Sequence, residues 1–93
     1  MEKSETVVLL IEDNELNRNM LSRRFSRRGI HTVTAENGST GIKKAEELLP
    51  DCILLDITLP DISGEQAAEQ IAGSKKTAHI PIIALTAVDE LRA

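Results

Sequence analysis

Three stretches of this chain are apolar without alternation: TVVLLI at Thr6–Ile11, CILL at residues 52–55 and IPIIALTA at residues 80–87. A strand with one face in water alternates apolar and polar side chains. A run that does not alternate has to be covered on both faces, the condition of a strand inside a parallel sheet flanked by helices. Residues 30–34 (IHTVT) add a shorter β-branched run. The intervals between the runs read as helices. Residues 15–28 offer Leu16, Met20, Leu21 and Phe25 as one apolar face, with Asp13 or Asn14 as cap, Glu15 suited to the first turn and Gly29 as stop. Residues 39–49 carry Ile42, Ala45, Leu48 and Leu49 on one side and end at Pro50. After a loop over residues 58–64, a third helix reaches about Ala72 with Ala67, Ala68 and Ile71 inward. Residues 73–79 are polar, and Pro81 is tolerable near the start of a fourth strand at 80–87.

The order β-α-β-α-β-α-β with short connections implies an α/β fold, a parallel sheet with right-handed crossovers. Ninety-three residues fit one domain, 1–93. Phe25 is the only aromatic, so Ile, Leu, Val and Ala must fill the core. A net charge of −4 gives no electrostatic reason to expect nucleic acid as a partner. No run approaches the roughly 20 apolar residues of a membrane span, and residues 1–6 lack a signal-peptide core, so a cytoplasmic protein with no membrane partner is expected. Cys52 is the sole cysteine, which excludes an internal disulfide, and its apolar run predicts a buried, inert thiol. His31 and His79 read as surface residues. Arg18, Arg23, Arg24, Arg27 and Arg28 read as a solvated helix face or as a docking surface.

Strand one ends at Glu12-Asp13, strand three at Asp56 and strand four at Thr86. In an open parallel sheet these carboxyl ends share one edge, where ligands bind at the switch point of strand order. Three carboxylates and a hydroxyl are therefore expected at one site. Like charges so close raise carboxylate pKa values, and a divalent cation relieves the repulsion. All-oxygen ligation suits a hard ion such as Mg²⁺, beside which a carboxylate could attack a phosphoryl group.

IEDNELNRNMLSRRF, DITLPDISGEQ and IPIIALTA resemble, in order and spacing, the signature stretches of receiver domains of bacterial two-component response regulators. The resemblance runs from about Val7 to the C-terminus. It implies a flavodoxin-like doubly wound parallel sheet, here about four strands in the order 2-1-3-4 with three helices. It makes Asp56 the phosphoacceptor, Asp13 a direct Mg²⁺ ligand and Glu12 a second acidic partner acting through water. Thr58 offers a backbone carbonyl to the metal, and Thr86 is the switch hydroxyl. Pro60 and Gly64 match the family loop, whereas Ser63 stands where an acidic residue is common. A histidine kinase or histidine phosphotransfer domain is the implied phosphodonor.

The family's lysine, on a fifth strand, has no counterpart in the seven residues after Thr86, nor do the fourth helix, the fifth strand and the fifth helix. The chain is thus expected to be a C-terminally truncated receiver that labels inefficiently. Its fourth-strand edge and apolar faces would be free to form a homodimer. Two functions follow: a phosphoacceptor module, or a switching-impaired interaction module acting through dimerisation. Neither is an enzyme acting on a separate substrate. The related aspartate-nucleophile phosphatases need a second aspartate where Thr58 stands.

Overall fold

The computed structural model describes residues 5–85. Four strands, β1 (Thr6–Ile11), β2 (Ile30–Ala35), β3 (Cys52–Asp56) and β4 (Ile82–Leu85), alternate with α1 (Glu15–Arg27), α2 (Gly38–Leu48) and α3 (Gly64–Gly73). The strands are all parallel and lie in the order β2-β1-β3-β4, as expected. No helix among the described residues is long and apolar enough to cross a membrane.

The non-alternating runs feed both faces of the sheet. Leu9 and Ile11 of β1, with Ile53 and Leu55 of β3, point toward α2 and α3 and pack with Ala45, Ala67 and Ile71. Val8, Leu10 and Leu54 point the opposite way, where Leu21 and Phe25 of α1 cover them. The first face holds the larger core. Its helix α2 approaches closely because Gly41 has no side chain: a Cβ there would overlap the side chain of Ile11. Asn37 caps α2 through its side chain, and Leu49 ends it in the left-handed conformation at φ 48°. Gly29, at φ 77°, supplies the corresponding turn after α1.

Several expectations need correction. Leu16 and Met20 do not join the face of α1 that packs on the sheet; they are 78% and 48% exposed. The inward line is Arg18, Leu21, Ser22 and Phe25, all half-buried. At 3.6 residues per turn, a spacing of five rotates a side chain by about 140°, which carries Leu16 away from Leu21. Leu48 and Leu49 are also about half exposed at the last turn of α2. Cys52 is half-buried rather than enclosed, and partial burial raises its thiol pKa. The segment before β4 is not simply polar. Thr77 is fully buried with its hydroxyl donating to the Ile71 carbonyl at 2.6 Å, and Ile80 enters the core ahead of the strand. His31 and His79 are exposed, as expected.

Candidate functional site

The sheet register builds the site. Ile11 pairs with Leu55, so the next residues along each strand, Glu12 and Asp56, emerge side by side at the carboxyl edge. Asp56 in turn pairs with Leu85 at the end of β4. Asp13 follows Glu12 in the turn into α1. One carboxylate oxygen from each of Glu12, Asp13 and Asp56 lies within 4.8 Å of the others. The structure thus brings these three acids together at the strand ends.

The three acids differ in surroundings. Glu12 is buried, Asp56 half-buried and Asp13 exposed. Glu12 accepts hydrogen bonds from the Asn14 backbone N–H at 3.0 Å and from Asn17 Nδ2 at 3.4 Å. Burial raises its carboxyl pKa and the Asn14 bond opposes that rise, while the neighbouring Asp56 adds to it. The donor set is oxygen only and concentrates negative charge in the lining of a cleft of about 560 Å³. Those properties fit a hard divalent cation such as Mg²⁺ and would not suit a thiolate-seeking metal.

The loop after Asp56 is fixed at several points. Thr58 N–H donates to Asp56 Oδ1 at 3.1 Å, so Thr58 folds back over the carboxylate. Gly64 N–H donates to the Ile57 carbonyl at 2.8 Å. Asp61 reaches across to α2, accepting from the backbone N–H groups of Gly38 and Ser39 at 2.8 and 2.9 Å and from the Ser39 hydroxyl at 2.7 Å. Ser39, first through its hydroxyl and then through its N–H, holds the Asp61 carboxyl well below the usual aspartate range. Ser63 caps α3, and Gln66 returns a bond to the Ser63 N–H. The serine that departs from the family pattern thus has a local use, which the S-x-x-Q spacing signals.

Two further residues escaped the sequence reading. Asp61 bonds to partners 22 and 23 residues away, a pairing no local pattern reveals. Arg18, grouped there with the surface arginines, donates to the Glu12 carbonyl at 2.9 Å and to Glu36 at 3.4 Å. Arg23, Arg24, Arg27 and Arg28 are exposed, and Arg24 borders the acidic cleft beside Met20. Thr86 lies outside the described residues.

Residues 8–93 match the family described as response regulator receiver domain. The polar-differentiation response regulator DivK of Brucella anthropi is 38% identical over 80 residues, and that of Brucella ovis 36%. Each alignment takes in 86% of this chain, which spans 65% of the length of these curated relatives. A receiver domain of a sensor histidine kinase from Pseudomonas aeruginosa, solved with a magnesium ion coordinated in its active-site cleft, superposes with a TM-score of 0.86 at 31% identity. That likeness covers 90% of this chain and 69% of that one. The response regulator TrrA of Thermotoga maritima, in complex with Mg²⁺ and BeF, superposes with a TM-score of 0.82 at 34% identity. It covers 94% of this chain and 74% of its own.

Proposed function

Because this chain belongs to the response regulator receiver domain family of two-component systems, we propose that it is a phosphoacceptor module of a phosphorelay, with Asp56 receiving the phosphoryl group. Receiver domains are signalling modules. The donor in this reading is a histidine kinase or a histidine phosphotransfer domain. The observation that carries it is the approach of Glu12, Asp13 and Asp56 within 4.8 Å at the carboxyl edge of the sheet.

Asp13 and Asp56 are the direct metal ligands in this reading, joined by the Thr58 carbonyl, with Glu12 acting through water. Bound there, Mg²⁺ would neutralise charge on the transferring group. The chain's own residues do the rest. A carboxylate oxygen of Asp56 attacks phosphorus as the bond to the donor imidazole nitrogen breaks, giving an acyl phosphate. The Thr58 N–H restricts rotation of the Asp56 carboxylate by holding Oδ1. We assign Thr86 the switch hydroxyl on the resemblance alone. The test is intact-mass measurement after acetyl phosphate and Mg²⁺. One added phosphoryl group is expected, lost on chelation and in Asp56→Asn. Undiminished labelling of Asp56→Asn would overturn the assignment.

A second reading, an assembly module in the cytoplasm, draws on β4. Among the described residues β4 has one neighbouring strand, β3, and Ile83 on it is 52% exposed. An apolar strand edge favours pairing with another chain. We propose a homodimer through this edge or through the adjoining apolar surface. Sedimentation velocity at micromolar concentration tests it: a dimer supports it, and a monomer at all concentrations excludes it.

A further inference from the structure

We propose that Arg18 is a positioning residue for the cation site, an inference that rests on the reading of that site given above. Its guanidinium sits on the inward line of α1 and its side chain is only 13% exposed. Nη1 donates to the backbone carbonyl of Glu12 at 2.9 Å, and Nη2 reaches Glu36 Oε1 at 3.4 Å. Glu36 directly follows Ala35, whose carbonyl accepts the Glu12 N–H at 3.0 Å. Glu12 is therefore tied at both backbone polar groups, by the end of β2 on one side and by Arg18 on the other. The carbonyl that Arg18 holds belongs to the peptide joining Glu12 to Asp13. That peptide sets where both carboxylates leave the strand.

Arg18 makes none of its hydrogen bonds to the three clustered carboxylates. Its donors face the back of the peptide and Glu36, so Arg18 occupies none of the clustered carboxylate oxygens. An arginine suits this place better than a lysine because its planar fork can serve two separated acceptors at once. Its charge cannot be what aids the cation. A fixed positive group near the site repels a second one, so on Coulomb grounds alone its removal would tighten cation binding. The positioning reading gives the opposite sign, because losing an outer partner of a ligand weakens metal affinity, typically 10–100-fold.

That difference in sign makes the experiment decisive. Mg²⁺ is titrated calorimetrically into the whole chain and into Arg18→Ala and Arg18→Lys, well below each thermal midpoint. Arg18→Ala is expected to bind Mg²⁺ about 10–100-fold more weakly. Arg18→Lys, which keeps the charge and one donor, should recover part of that loss. Equal or tighter binding by a folded Arg18→Ala overturns the proposal. Should Arg18→Ala not fold, Arg18→Lys decides: it keeps the positive charge and gives up the fork that serves the Glu12 carbonyl and Glu36 together. Weaker Mg²⁺ binding by Arg18→Lys than by wild type, at unchanged charge, supports the proposal, and binding equal to wild type overturns it. A wild-type chain that binds no Mg²⁺ overturns the site assignment and this inference together. Firm wild-type binding matched by Arg18→Ala overturns this inference alone.

Discussion

Gly64 stands directly behind Asp56: a Cβ on Gly64 would lie 2.6 Å from the Asp56 carbonyl oxygen and 2.6 Å from the Ile57 Cα. Both are backbone atoms and cannot swing aside as a side-chain tip could. Gly64→Ala is expected to destabilise the fold by about 1–3 kcal/mol, the usual cost of overpacking. It should also disturb the Asp56 carboxylate, because relief of the clash moves the end of β3. Urea unfolding measures the first effect, and Mg²⁺ titration the second. A variant as stable as wild type would mean that α3 can shift freely against β3.

The corrected face of α1 gives a contrast between two leucines. Leu10 is fully buried under α1, whereas Leu16 is 78% exposed. Leu10→Ala should cost about 2–5 kcal/mol. Leu16→Ala should stay within about 0.5 kcal/mol of wild type. Equal losses in denaturant melts would restore Leu16 to the packed face.

Acid stability should depend on Asp61. Its hydrogen bonds to Ser39 and Gly38 favour the ionised form, so its folded pKa is lower than the ordinary 3.8. The unfolded chain then takes up a proton first as pH falls. The contribution of Asp61 is complete above the ordinary value and is lost progressively below it. Asp61→Ala should be less stable than wild type at neutral pH, with the gap narrowing on acidification below 3.8. Thermal melts at a series of pH values check this, and a gap that widens in acid would contradict it.

Cation binding should appear as stabilisation. If Mg²⁺ binds only the folded chain, a concentration one hundred times its dissociation constant adds about 2.7 kcal/mol. Asp56→Asn should remove most of that gain. In EDTA the same variant should melt above wild type, because one of three mutually repelling carboxylates is gone. Thermal shift with and without chelator reads both effects. A divalent response that survives in both Asp13→Asn and Asp56→Asn would place the cation elsewhere.

The strands and the acids at their ends were legible because parallel topology turns a one-dimensional pattern into a shared edge. Once TVVLLI and CILL are neighbouring strands, Glu12 and Asp56 have to meet. The rotation of α1 was less legible. Its apolar residues are few, and the inward line includes Arg18 and Ser22 at positions where polarity suggested solvent. Arg18 is tolerated there because its charge finds a carbonyl and Glu36. Asp61 was invisible for another reason: its partners belong to a helix that begins 23 residues earlier, and only the finished fold brings them together. The capping box at Ser63 and Gln66 could have been read from its spacing.

The place of β1 has a consequence for how the molecule opens. It comes first in sequence among the four described strands, yet it lies between β2 and β3 and contributes to both cores. Its amides can meet solvent only after a neighbouring strand has separated or the whole sheet has come apart. β2 and β4 each have one neighbour among the described residues and can detach singly. Hydrogen exchange should therefore be graded across the sheet, slowest at Leu9 and Leu10 and fastest along β4, where Ile83 is already half uncovered. On that gradient the cation site is mechanically divided: Glu12 extends from the most protected strand, and Leu85 closes the far side of the cleft from the least protected one. Opening of β4 would then loosen one wall of the cleft while leaving the strands that carry Glu12 and Asp56 paired.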